Sequence, residues 1–306
     1  MTRKELNEDI QNEIFKEQNK NFIKKAIKNT IIAIVCLVVL TFLFFTYTTY
    51  VSNVKVKARE YRVINKKLPE SFNGLKIIQL SDLHYGSTMF YDELKSIVKL
   101  TNERKPDLVV FTGDLIAQDY KMTSKEKEKL ITELKNINST LGKYAVKGNE
   151  DKEEVATILN QSDFTLLNNE SDLIYKETNP ILLVGLSSSL AKEQDIDKAF
   201  NYFHEENHND DIYTITIMHE PDSVDDVLND YHPDLFLAGH SHNGNIRIPF
   251  INFSLMRPKG AYKYYQDYYK INDSKLYISS GLGTNNTSSI RFFCRPSINL
   301  FRLSNH

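Results

Sequence analysis

Residues 30–51, "TIIAIVCLVVLTFLFFTYTTYV", run for 22 positions without a charge, and few folded environments accept such a segment. As a helix rising 1.5 Å per residue it is about 33 Å long, enough to cross a hydrocarbon core of about 30 Å. Tyr47 and Tyr50 stand where interfacial aromatic anchors belong. A core helix of a globular domain would carry a polar stripe, and this run has none before Thr41. A cleaved signal peptide would have a shorter leader and a small-x-small cleavage site, which "YVSNVKVKA" offers only poorly. The expectation is a retained single-pass anchor over 30–51, preceded by a charged leader over 1–29. In that leader Leu6, Ile10 and Ile14 recur at four-residue spacing, which fits a weakly amphipathic, solvated helix.

Orientation rests on the flanking charge. Within the 14 residues before the run stand Lys16, Lys20, Lys24, Lys25 and Lys28, and within the 15 after it Lys55, Lys57, Arg59, Arg62 and Lys66, five against five. The positive-inside rule therefore gives a tie. A charged leader is awkward to move across a bilayer, so the leader is expected inside and the large domain extracytoplasmic.

Beyond a linker and domain entry over 52–72, the remaining chain is long enough for one large domain, placed here at 73–303. With a formal net charge of −2, no global attraction to nucleic acid arises, and no nucleic-acid partner is expected. The two cysteines, Cys36 and Cys294, supply neither a disulfide framework nor a cysteine zinc site. Apolar strand-like runs at 75–81, 107–113, 143–148, 180–186, 213–219, 234–240 and 275–283 are interspersed with helix-like stretches at 91–104 and 124–137. This alternation predicts a layered α/β domain, and the continuity of the apolar strands predicts sheets covered on both faces.

Chemistry-bearing residues collect where these strands end. "LKIIQLS" leads into Asp82-Leu83-His84, "DLVVFT" into Gly113-Asp114, and "KYAV", after one lysine, into Gly148-Asn149-Glu150-Asp151. "YTITIM" leads into His219, and "DLFLA" into Gly239-His240-Ser241-His242. Each block alone has an ordinary reading as a cap, a turn or a surface histidine. Together they place four of the eight histidines, His84, His219, His240 and His242, at one kind of position. Ligands of layered α/β proteins bind at the carboxyl ends of strands. Imidazole, carboxylate and amide oxygen suit Zn, Fe or Mn, and the set is too nitrogen-rich for a calcium cage. A carboxylate such as Asp114 can bridge two cations.

The order Asp-x-His, Gly-Asp, Gly-Asn, His, Gly-His-x-His resembles the calcineurin-like metallophosphoesterase superfamily over about residues 75–300. The resemblance implies an α/β fold, a two-sheet sandwich flanked by helices, with a dinuclear metal site at one end. It implies that Asp82, His84 and His242 hold one metal, that Asn149, His219 and His240 hold the other, and that Asp114 stands between them. The later blocks "KLYISSGLGT" (275–284) and "IRFFCRPSINLFRL" (290–303) look like the membrane-anchored bacterial branch, some members of which cleave the diphosphate of UDP-2,3-diacylglucosamine. The implied activity is hydrolysis of a phosphodiester or diphosphate bond with two divalent or transition metal ions. The implied partners are a phosphate-ester or diphosphate substrate, lipid-linked or nucleotide, and the membrane.

One position departs from the pattern. Most of the family carries histidine after Gly-Asn, credited with assisting the leaving group, and this chain carries Glu150. Nearby cations are expected to keep that carboxylate ionised and a poor proton donor. Catalytic roles are therefore assigned to Asp114, Asn149 and Glu150, the last as an exchanged piece. Two alternatives stand beside the hydrolase: a catalytically weak metal-binding regulatory protein, and a phosphoprotein phosphatase. Retention of all seven ligand positions favours the enzyme.

Overall fold

The computed structural model describes residues 3–50, 56–246, 257–284 and 291–306. Val51, at the end of the apolar run, and Ile290, at the start of the last block, lie outside the described residues, as does the side chain of Tyr50. The chain divides into two compact units, Met1–Val51 and Ser52–His306. In the first, helix α1 (Arg3–Tyr50) runs unbroken through the leader and the apolar run. Within it Ile10–Thr48 is long and apolar enough to cross a membrane. The expected boundary at residue 29 does not interrupt the helix, because the leader contains no glycine or proline to end it.

The second unit is built on two six-stranded mixed sheets. The first comprises β1 (Lys57–Ile64), β2 (Lys76–Leu80), β3 (Leu108–Thr112), β4 (Lys143–Val146), β5 (Thr165–Leu166) and β12 (Ser297–Ser304), in the order β1-β12-β2-β3-β4-β5. The second comprises β6 (Glu170–Lys176), β7 (Asn179–Gly185), β8 (Thr214–Ile217), β9 (Leu235–Ala238), β10 (Tyr268–Ile271) and β11 (Ser274–Ile278), in the order β10-β11-β9-β8-β7-β6. Strands β2 to β5 are parallel neighbours, as are β7, β8, β9 and β11. Within the stretch 52–72, expected as a linker and domain entry, lies strand β1, which pairs along its whole length with β12.

Alternation along each strand sends side chains to two cores. In β2, Ile77 joins the layer between the sheets, where it packs with Val110, Ile215, Leu237 and Phe301. Its neighbour Ile78 joins the outer layer formed with helices α2 (Tyr91–Glu103), α3 (Ser124–Lys135) and α4 (Glu153–Gln161), through Leu94, Leu130 and Ile158. The second sheet has its own outer layer, in which Leu182, Val184, Phe236 and Ile278 pack on Phe200, Val224 and Val227. Helical layers cover the outer faces, which is why the inner strands read as unbroken apolar runs. The parallel strands therefore end together, and their exit loops meet at one edge of the two sheets.

Candidate metal centre

Five residues of the predicted set, Asp82, His84, Asp114, His240 and His242, have positive φ, between 44° and 66°. Asp and His are among the side chains that enter this left-handed region most readily, yet each such residue costs about 1–3 kcal/mol and persists only where its surroundings impose it. The surroundings here are backbone hydrogen bonds between strand-end loops. Asp82 N donates to Gly113 O at 2.9 Å, and His84 N donates to Asp114 O at 3.1 Å. Glu150 N donates to Asp114 Oδ1 at 3.0 Å, and His240 N to Asp82 Oδ1 at 3.0 Å. The β3 and β4 loops approach so closely that a Cβ on Gly148 would lie 2.1 Å from Asp114 Oδ1. Only glycine fits there, which accounts for the Gly-Asn dipeptide.

The result is two adjoining clusters of donor atoms. Asp82, His84 and His242 bring one donor atom each within 4.8 Å of one another, and Asp114, His219 and His240 do the same. A third grouping at that spacing joins His84, Asp114 and Glu150. Asp114 Oδ2 lies 3.1 Å from His219 Nε2 and 3.9 Å from His84 Nε2, so one carboxylate oxygen faces both clusters. Asn149 sits between Gly148 and Glu150 in the loop against Asp114, and its Oδ1 is buried without a hydrogen-bond partner among the described residues. The structure thus brings the predicted residues to one place. Glu150 Oε2 is 3.4 Å from His84 Nδ1.

The donor set fits metal ions. His219 Nδ1 lies 2.7 Å from Thr112 O, which makes it the protonated nitrogen and leaves Nε2 as a lone pair facing the Asp114 carboxylate. Two acceptors in that arrangement repel unless a cation, proton or metal, mediates between them. His240 Nε2 is likewise 2.7 Å from Lys259 O, which leaves its Nδ1 as the lone pair. These are the outer-sphere carbonyl contacts that fix the tautomer of a metal-bound imidazole. Among the protein groups alone, burial would keep His219 neutral, but the charge of Asp114 and its hydrogen bond raise its pKa well above the ordinary value. Burial pushes Asp114 up, and the neighbouring His219 outweighs it and holds the carboxyl well below its usual range. Burial raises Asp82, with His219 opposing. Burial lowers His242, reinforced by the nearby charge of Arg291.

Residues outside the predicted set complete the centre. Asp151 accepts from Asp114 N and Leu115 N, both at 2.8 Å, and from Gly148 N at 2.9 Å. Ser81 Oγ donates to Asp82 Oδ2 at 2.5 Å. The signal for Asp151 is its place directly after Gly-Asn-Glu. Nothing in the pattern of Ser81 distinguishes it from any strand-end serine.

The comparisons agree with this geometry. Residues 75–244 match the family model described as calcineurin-like phosphoesterase. The chain is 29% identical over 254 residues to the uncharacterized metallophosphoesterase YkuE of Bacillus subtilis, covering 81% of this chain and 85% of that protein. It is 27% identical over 303 residues to a protein of Chlamydia muridarum named UDP-2,3-diacylglucosamine pyrophosphatase LpxG, covering 77% and 86%. A zebrafish transmembrane protein with metallophosphoesterase domain is 28% identical over 236 residues, covering 71% of this chain and 51% of its own length. With more than half of its length matched to that model, the chain belongs to the calcineurin-like phosphoesterases and is a metal-dependent hydrolase of phosphoric esters.

Proposed function

We propose that the protein is a membrane-anchored dinuclear phosphoesterase that hydrolyses a phosphodiester or diphosphate bond in a lipid-linked or nucleotide substrate. In this reading Asp82, His84 and His242 hold one metal ion, Asn149, His219 and His240 hold the other, and Asp114 contributes to both. The observation that carries it is Asp114 Oδ2, which faces His219 Nε2 at 3.1 Å and His84 Nε2 at 3.9 Å. A nitrogen-rich set with carboxylates and no thiolate suits Mn, Fe or Zn. Two such ions supply a water of lowered pKa and a clamp on the phosphoryl oxygens. The protein's own part is to hold the donors: Asp151 ties the β3 and β4 loops together, and the carbonyls of Thr112 and Lys259 orient His219 and His240.

The relative named for UDP-2,3-diacylglucosamine supports a diphosphate in a lipid-linked nucleotide as the first substrate to try. The helix over Ile10–Thr48 supports an enzyme tethered at a lipid surface. The test is elemental analysis of the full-length protein in detergent, followed by a panel of mono-, di- and pyrophosphate esters with Mn²⁺ or Zn²⁺. Two metals per chain and hydrolysis of diesters or diphosphates are expected. Replacing Asp114 with Asn removes charge from both halves, and is expected to cost more metal than any other single ligand change. One metal or none at saturation would end the dinuclear reading.

A further inference from the structure

Arg291 is 1% exposed and ranks among the largest fully buried side chains. It belongs to a block that sequence reading singles out without giving it work to do. Its Nη1 donates to Ser280 O at 2.5 Å and to Cys294 O at 3.4 Å. Its Nη2 reaches Gly283 O at 2.6 Å, Gly281 O at 3.3 Å and His242 Nδ1 at 3.1 Å. A guanidinium only donates, so His242 Nδ1 is the acceptor. Three residues on, Cys294 Sγ donates to the backbone carbonyl of His242 at 2.9 Å. His242 is therefore held at its ring and at its backbone by one short segment.

The loop that Arg291 gathers lies against the other side of the same cluster. Leu282 N donates to Ser81 O at 3.0 Å, and Gly283 N to Asp82 O at 2.7 Å. A Cβ on Gly281, at φ +69°, would lie 2.7 Å from His242 Nδ1 and 3.0 Å from Asp82 Cβ. Among the described residues no such tie reaches His219 or His240, whose ring nitrogens meet the carbonyls of Thr112 and Lys259. Filling a core needs no guanidinium, and burying one is costly unless its donors are all used. Arg291 directs its Nη donors to three carbonyls of the 280–284 loop, to Cys294 O in its own segment and to one imidazole.

We propose that Arg291, assisted by Cys294, is a positioning residue for the Asp82/His84/His242 half of the centre and not for the other half. The proposal rests on reading those three residues as metal ligands. The outer partner of a metal-bound imidazole usually accepts its N–H, whereas this one donates, which puts the proton of a neutral His242 on Nε2. A metal ion at Nε2 would need that proton gone from it, so toward a loaded half Arg291 would act through the 280–284 carbonyls and, with Cys294, through the His242 backbone, while its positive charge opposes the cation. Two effects of its removal therefore oppose each other. Losing the charge favours a cation, and losing the fork lets the His242 ring and the 280–284 loop shift. Positioning dominates if both Arg291→Met and Arg291→Lys weaken binding, with Lys the milder because an ammonium keeps the charge without the fork.

The experiment uses the full-length protein in detergent, titrated with Mn²⁺ and with Zn²⁺ after chelation. Metal content is read by elemental analysis, and the melting temperature is measured without metal. Wild type is expected to take two ions. Arg291→Met is expected to keep one ion at wild-type affinity and to bind the second about 10–100-fold more weakly, the range typical of outer-shell changes. Asp82→Ala marks the one-metal species, and adding Arg291→Met to it is expected to leave the remaining affinity unchanged. If Arg291→Met does not fold, Arg291→Lys and Cys294→Ala carry the same comparison with smaller losses at the same half. Equal weakening of both ions, unchanged binding, or tighter binding in Arg291→Met would overturn the proposal while leaving the dinuclear reading intact. A wild type that takes fewer than two ions would remove both.

Discussion

Three backbone N–H groups converge on one carboxylate at Asp151, those of Asp114, Leu115 and Gly148. Burial and the charge of Asp114 push that carboxyl up to about 7, against the N–H donors of Gly148 and Leu115 that hold it down. Its work is to fix two loops. Asp151→Ala leaves three donors without their acceptor, each costing about 1–3 kcal/mol when buried. We expect a loss of about 3 kcal/mol or more in a denaturant titration, and a lower metal content at equal protein concentration. Wild-type stability in Asp151→Ala would show that the loops are held by other means. Glu150 makes a different prediction. Its carboxylate oxygen stands 3.4 Å from His84 Nδ1, so it is engaged with a residue of the candidate centre and is badly placed to protonate a leaving group. General acid help is worth about 10²–10⁴-fold, and alkoxide leaving groups need it most. Glu150→His is expected to raise turnover of alkyl esters more than turnover of nitrophenyl diesters. A wild type that already hydrolyses alkyl monoesters best would contradict this. At this scale the candidate ligand positions are legible because each sits at the end of an apolar run. Asp151, Ser81 and Arg291 were not assigned, since their roles depend on atoms brought from distant loops.

At the scale of elements, legibility followed position in the sheet. Strands β2, β3, β4, β7, β8, β9 and β11 are interior and read as continuous apolar runs. Five strands were not marked by an apolar run: β1, β5, β6 and β10 are the four sheet edges, and the fifth, β12, is interior but has its apolar residues interrupted by Asn299 and Arg302. Edge strands carry charges and polar residues that discourage pairing with other chains, as in "KAREYRVI" of β1, and so they look like loops. The practical consequence concerns where a fragment of the second unit has to begin. Strand β1 pairs with β12 from Lys57↔Ser297 to Ile64↔Ser304, and Tyr61 stacks on Phe301 with ring centroids 5.4 Å apart. A fragment beginning at residue 65 loses this ladder and exposes β12 as a new edge. With each backbone hydrogen bond worth about 1 kcal/mol and each kcal/mol about 2–4 °C at this size, its melting temperature is expected to fall on the order of 10 °C below that of a fragment beginning at residue 52. Size-exclusion chromatography should also show it associating. Equal melting temperatures and a monomeric profile would mean that β1 is dispensable.

For the molecule as a whole, an anchor formed by α1 would decide which side of a membrane the hydrolase faces. Helix α1 spans Arg3–Tyr50, 48 residues, or about 72 Å at 1.5 Å per residue, more than twice a hydrocarbon core of about 30 Å. An anchor formed by its apolar half would leave the leader as a helix outside the bilayer, carrying its lysines. Charge on the two flanks is balanced, five against five, so the positive-inside rule does not choose. The difference lies in what must cross: a charged leader in one orientation, a folded domain exported as a nascent chain in the other. Long domains translocate largely regardless of their charge, which favours the leader inside and Ser52–His306 outside. Single-cysteine probes decide it. On a Cys36→Ser background, with Cys294 retained because it is buried, Lys16→Cys and Lys125→Cys place an exposed thiol in each part. In intact cells a membrane-impermeant maleimide is expected to label Lys125→Cys, and to reach Lys16→Cys only after the membrane is opened. The opposite pattern would put the metal centre in the cytoplasm, and the substrate would then have to be sought among phosphate esters presented on the inner face.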